Sequence, residues 1–154
     1  MNELCREVLQ RLNGKTLVTA ESCTGGGIGN ALTAIPGSSS VYKGGEISYC
    51  NELKEQILGV SREVLVQFGA VSAPVALAMA AGARKLMHAD IAVSVTGLAG
   101  PDGDDFGNPV GMVYIGYEDD TGNVVREFSF SGDREAVRTQ AIAAALNLIL
   151  EKNV

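Results

Sequence analysis

The chain has no tryptophan, a single histidine, three cysteines and four prolines among 154 residues, and aromatic side chains make up only 5% of it. Each scarcity excludes a kind of chemistry. His88 falls at the end of a helical stretch, before Ala89-Asp90, where it reads as a surface or packing residue; a Ser-His-Asp triad is not expected. Cys5, Cys23 and Cys50 are odd in number and far apart, which gives neither a disulfide framework nor a CxxC metal site, so no metal or other cofactor is implied. Positive charge is scarce too: 12 Lys and Arg stand against 18 Asp and Glu, a net charge of −6 with no basic run, which argues against nucleic acid as a ligand. No apolar run is long enough to cross a membrane, and the opening MNELCREVLQRL sets charges among its leucines, unlike a signal peptide. A soluble, cytoplasmic protein is expected.

What is present is ample core material, 46% hydrophobic residues with 19% charged, enough for one domain over residues 1–154. Leu4, Cys5, Val8, Leu9 and Leu12 recur at helical spacing, predicting a helix over 3–12 that closes near Asn13-Gly14. KTLVTAES predicts a strand, IGNALTAI a helix ending at Pro36-Gly37, and GEISY a second strand over 45–49. Asn51 is placed to cap a helix over 52–58, Ser61 one through Phe68, and Pro74 opens an Ala-, Leu- and Met-rich helix over 73–87. DIAVSVTG, a near-continuous β-branched run, predicts a central strand covered on both faces. After the glycine and proline loop GLAGPDGDDFGNP, GMVYIGYE and NVVREFSF flank DDTG as a hairpin. Asp133 would cap a last helix to about Leu150, with Val137, Ala141, Ala144 and Leu148 on one stripe. Alternating strands and helices with a closing hairpin predict a three-layer α/β/α domain on a mixed sheet of about five strands. Ligands of such sheets gather at the carboxyl ends of strands, where ESCTGGG, SYCNELK and TGLAGP fall.

The glycine-rich turn after the first strand offers backbone N–H groups at a helix N-terminus, suited to a phosphate or a developing oxyanion, although close strand–helix packing also selects glycine there. Neither GxGxxG, nor Walker A, nor GxSxG is present. Ser22 needs a base to become a nucleophile, and Lys54 is a candidate: on a helix capped by Asn51 it falls in the first turn, where the macrodipole opposes positive charge and burial would add to the effect. A solvated helix lysine is the competing reading. Cys23 competes for the nucleophile's role as a thiol near a helix N-terminus, or else packs as a small apolar residue. Glu21 would orient Lys54, bind ligand, or complement the helix N-terminus. Tyr49 suits a planar ring or is an ordinary strand aromatic; Thr96 and Gly97 present a hydroxyl and N–H groups to ligand oxygens; Arg134 and Arg138, one turn apart, form a candidate phosphate clamp or a solvated pair.

TAESCTGG, IPGSS, GGxxSYCNELKxxxLGV, GAVSAPVALAMA, VSVTGLAGPDG, NPVG and SGDREAVR follow one another over nearly the whole chain, and in this order they resemble the CinA C-terminal domain family of nicotinamide-nucleotide amidohydrolases. The resemblance implies hydrolysis of the carboxamide of nicotinamide mononucleotide to nicotinic acid mononucleotide and ammonia, with no metal, in a homodimer. It assigns Ser22 as nucleophile, Lys54 as base, Tyr49 and Thr96 as positioning groups, and Arg138 before Arg134 as the family's arginine. The N–H groups near Thr24, Gly25 and Gly26 would hold the oxyanion. Two features depart from the family's pattern: Cys50 and Leu53 stand where serine and alanine are usual, and the loop after Gly103 runs DDFGN into Pro109, acidic and without the expected lysine. A non-catalytic nucleotide-binding or regulatory member, linked to competence or damage response, is the alternative; a thiol enzyme using Cys23 would leave Lys54 unexplained.

Overall fold

A computed structural model describes residues 1–154. In chain order the elements are α1 (Asn2–Arg11), β1 (Leu17–Glu21), α2 (Gly27–Thr33), a 3-10 turn (Ser38–Ser40), β2 (Tyr42–Ile47), α3 (Asn51–Gln56), α4 (Arg62–Phe68), α5 (Ala73–Leu86), β3 (Ile91–Gly97), β4 (Met112–Asp119), β5 (Gly122–Ser129) and α6 (Arg134–Lys152). The five strands form one mixed sheet in the order β2-β1-β3-β4-β5, parallel across β2, β1 and β3 and antiparallel from β3 through β5.

Side-chain alternation along the central strands divides the core. Leu17 on β1 and Ile91, Val93 and Val95 on β3 join residues of α1, α2 and α6 on one face; Val18, Ala20 and Ala92 join α4 and α5 on the other. The expected three layers and five strands are therefore present. Continuing the parity past β1 places Glu21 on the α2 and α6 face and Ser22 on the face of α4 and α5.

Several boundaries differ from the sequence reading. β2 begins at Tyr42 and ends at Ile47, so Tyr49 lies beyond the strand. Asn51 is the first residue of α3 rather than its cap: Cys50 holds the extended cap position and makes no side-chain cap bond, which moves Lys54 out of the first turn. Ser61 and Asp133 do cap, accepting from the N–H groups of Val64 and Ala136. On α6, Val137, Ala141 and Leu148 are buried as expected, but Ala145, Leu146 and Ile149 complete the stripe and Ala144 is only partly buried.

Candidate active site

The turn joining β1 to α2 is held from beneath. Glu21 is 2% exposed, and its carboxylate accepts from the Thr24 hydroxyl (2.6 Å), the N–H groups of Ile28 (2.8 Å) and Gly29 (3.1 Å), and the Thr19 hydroxyl (3.3 Å). A buried carboxylate at a helix N-terminus satisfies N–H groups that would otherwise lack acceptors and complements the macrodipole. Glu21 thus complements the helix and does not touch Lys54. Gly25 and Gly26 carry the turn at φ of 58° and 97°, left-handed values that favour residues without a Cβ. Within it the Gly25 N–H donates to the Ser22 carbonyl (3.0 Å) and the Gly27 N–H to that of Thr24 (2.9 Å), whereas those of Cys23, Thr24 and Gly26 meet no acceptor in the chain. Of the N–H groups expected to face an oxyanion, Gly25's is engaged by the turn itself.

Ser22 is anchored by its N–H, which donates to the Val95 carbonyl of β3 at 3.0 Å, and it is nearly buried. From α3, Lys54 reaches the same point. Its Nζ donates to Ser22 Oγ at 2.9 Å, to the Ser48 carbonyl at 2.8 Å and to the Tyr49 carbonyl at 3.3 Å, and the residue is 1% exposed. Burial lowers its pKa to about 8. Desolvation, rather than the macrodipole of a six-residue helix, is the cause. The two carbonyls also orient the amine: when Nζ loses a proton, its two remaining N–H groups can stay on Ser48 and Tyr49, leaving the lone pair aimed at Ser22 Oγ.

Cys23 packs in the larger core cluster, where burial pushes its thiol up to about 11, the opposite of an activated thiolate. Thr96, 1% exposed, donates to the Ala70 carbonyl at 2.9 Å and lines the site with Gly97. The two arginines separate. Arg138 donates to the carbonyls of Cys23 and Thr24, both at 3.1 Å, bracing the turn from behind without lining the cavity. Arg134 lines it, donating to the Gly100 carbonyl (2.6 Å) and the Tyr49 hydroxyl (2.9 Å). Tyr49 itself is 60% exposed at the cavity wall. Thr24, Gly25 and Gly26 lie behind that wall.

Ser22, Lys54, Tyr49, Thr96, Gly97 and Arg134 share a cavity of about 520 Å³ at the carboxyl ends of β1 and β3, lined also by Ala70 and Val71 and by the loop bearing Asp102, Asp104, Asp105 and Phe106. The size suits a small organic ligand. Sequence reasoning missed the carbonyls of Ser48 and Tyr49 as anchors of the lysine, because a backbone group leaves no signature in residue type. It also missed Ala70, whose carbonyl fixes Thr96. A serine hydroxyl against a buried amine of lowered pKa, beside free backbone N–H groups, is equipped for attack on a carbonyl carbon.

The CinA C-terminal domain family model matches residues 1–153. The nicotinamide-nucleotide amidohydrolase PncC of Escherichia coli is 46% identical over 153 residues, covering 97% of this chain and 93% of that protein. A CinA-like protein of Geobacter sulfurreducens is 48% identical over 139 residues, which is 90% of this chain but 34% of that longer one. Among solved structures, the competence/damage inducible protein CihA from Agrobacterium tumefaciens superposes with a TM-score of 0.96 at 39% identity, covering 99% of this chain and 95% of that one. A CinA superfamily protein from Escherichia coli also gives 0.96, at 35% identity and coverage of 98% and 89%. In sequence and in fold alike, this chain belongs to the CinA C-terminal domain family.

Proposed function

We propose that the protein is a nicotinamide-nucleotide amidohydrolase that converts nicotinamide mononucleotide and water to nicotinic acid mononucleotide and ammonia. The observation that carries this reading is the 2.9 Å contact between Lys54 Nζ and Ser22 Oγ, on a lysine whose pKa burial lowers to about 8. The name of the Escherichia coli relative supplies the substrate.

Neutral Lys54 takes the Ser22 hydroxyl proton as Oγ bonds to the carboxamide carbon. The carbonyl π pair moves onto oxygen, where the N–H of Cys23, a cavity-lining residue whose N–H has no acceptor in the chain, is available to stabilise it. The C–N bond then breaks as the Lys54 ammonium returns its proton to the departing nitrogen, releasing ammonia and leaving a nicotinoyl ester on Ser22. Water attacks that ester with Lys54 again as base; the ester C–O bond breaks, the Lys54 ammonium returns that proton to Ser22, and the product leaves as the acid, giving its remaining proton to solvent. Tyr49, Thr96 and Gly97 frame the ring, Arg134 reaches the cavity from α6, and Arg138 holds the turn. A cytoplasmic, homodimeric protein with a small-molecule nucleotide substrate, and neither nucleic acid nor membrane as partner, completes the reading. In its support, no helix is long and apolar enough to cross a membrane.

Ammonia release from nicotinamide mononucleotide tests it, with Ser22→Ala and Cys23→Ala beside the wild type. Ser22→Ala should lose at least about a thousandfold in kcat, the range seen when catalytic nucleophiles are removed, and Cys23→Ala should retain activity. A wild type that binds the nucleotide without turnover would favour a binding module; full activity in Ser22→Ala would sink the mechanism.

A further inference from the structure

The connection between β3 and β4, residues 98–111, is long for a segment with neither helix nor strand, and such connections are uncommon unless they serve a binding site. Part of it lines the cavity, and it is fastened on two sides. Toward α6, Arg134 donates to the Gly100 carbonyl at 2.6 Å while the same guanidinium donates to the Tyr49 hydroxyl. Toward the connection between α4 and α5, three consecutive residues each take a contact. Gly69 seats Phe106: a Cβ on that glycine would lie 2.7 Å from the Phe106 ring, so the ring rests directly against bare backbone. The Ala70 carbonyl accepts from the Thr96 hydroxyl at 2.9 Å, and the Val71 carbonyl from Asn108 Nδ2 at 3.3 Å.

The loop also holds its own shape. Asp104 Oδ1 accepts from the N–H groups of Phe106 (3.1 Å) and Asn108 (3.0 Å), and Asp104 Oδ2 accepts from Asn108 Nδ2 (2.7 Å). One amide side chain, at the position before Pro109, thus fastens the loop both to itself and to Val71. Each of these contacts joins two groups of the chain and needs no ligand. A loop that ordered only around its ligand would take the entropy of ordering out of the binding free energy; a loop already ordered does not.

We infer that Phe106 and Asn108 are positioning residues for substrate binding: they hold the 98–111 loop against Gly69 and Val71, so that this wall of the cavity, with the Ala70 carbonyl that fixes Thr96, is formed before substrate arrives. The inference rests on the amidohydrolase reading and deepens it by separating binding from chemistry. Ser22 and Lys54 are anchored elsewhere, on the carbonyls of Val95, Ser48 and Tyr49, so the reacting pair does not depend on the loop.

Two substitutions test it. Asn108→Leu keeps the size of the side chain and removes its donors; Phe106→Ala vacates the seat on Gly69. Each should raise KM for nicotinamide mononucleotide roughly tenfold, as the loss of a hydrogen bond or an aromatic contact does. The value of kcat should stay within about threefold of the wild type, and the pH midpoint of kcat/KM should stay near 8. A merely structural role would lower the melting temperature and leave KM where it was. Calorimetric titration of the nucleotide into Ser22→Ala, with and without Asn108→Leu, reads the same loss as a rise in Kd. Amide exchange followed by NMR on the ligand-free wild type needs neither turnover nor substrate. Relative to their intrinsic rates, the Phe106 and Asn108 N–H groups should exchange at least about tenfold more slowly than that of Asp105, which meets no acceptor in the chain. If that protection is present while the wild type releases no ammonia, the preformed wall stands and the amidohydrolase reading falls. Equally fast exchange at all three amides, or a wild-type KM in both variants, overturns the inference and leaves the amidohydrolase intact.

Discussion

Lys54 is the residue whose lowered pKa the sequence and the structure trace to different leading causes. The sequence puts the helix dipole first and burial second, for a lysine three residues past an asparagine cap; in the structure burial is the leading cause, on a helix that Asn51 does not cap. The distinction predicts two linked pH dependences. As general base, Lys54 must be neutral, so kcat/KM should rise with pH and level off above about 8. Stability follows the same group. Below pH 8 the folded and unfolded chains both carry the proton, and the fold bears the full cost of a buried ammonium. Between about 8 and 10.5 the unfolded chain holds a proton the folded one has released, so stability rises with pH across that window. Urea denaturation should show the wild type gaining about 3 kcal/mol on Lys54→Met over this range, while the variant has lost its amidohydrolase activity. A difference between the two that stays flat with pH would mean the lysine is not held in the buried position described.

At the scale of elements, what was legible depended on whether local or tertiary forces decide. Ser61 and Asp133 cap because an oxygen three residues ahead of a free N–H is a local arrangement written in the sequence. Asp133→Ala should therefore cost about 1 kcal/mol in thermal or urea unfolding. The five strands and most of the helices were legible from composition and periodicity, but the start of α3 was misread because its position is set by contacts distant in sequence. Gly82 illustrates the same limit. In the middle of α5, alanine would favour the helix by about 1 kcal/mol. A Cβ at this position would, however, overlap the carbonyl oxygen of Leu58, just beyond α3. Leu58 and Val60 follow the segment bearing Lys54, and the Val60 N–H donates to the Lys54 carbonyl at 3.0 Å. Gly82→Ala should thus lower stability by about 2 kcal/mol, as overpacking does, and should reduce kcat by shifting the lysine away from Ser22. Unchanged kinetics together with a raised melting temperature would show that α3 can move without disturbing the pair.

Across the whole molecule, the candidate chemistry is confined to the parallel half of the sheet. Ser22 follows β1, Thr96 ends β3, and Lys54 comes from the connection after β2; the antiparallel β4 and β5 extend the sheet without lining the cavity. Parity then sends Ser22 and Thr96 toward the face covered by α4 and α5, while Glu21 turns to the α2 and α6 face to hold the turn from below. This division separates global stability from the electrostatics of the site. Leu146 is fully buried on α6, in the cluster of 22 residues across the sheet from the cluster of 11 against α4 and α5. Leu146→Ala should cost about 2–5 kcal/mol, the range for truncating a buried leucine. Because the burial of Lys54 is built on the opposite face, the pH midpoint of kcat/KM should stay near 8 in the surviving folded protein. Urea denaturation and a pH–rate profile on the same variant measure the two quantities independently. A midpoint moving toward 10.5 would show that the larger cluster, through α6 and its arginines, also governs how tightly the lysine is enclosed.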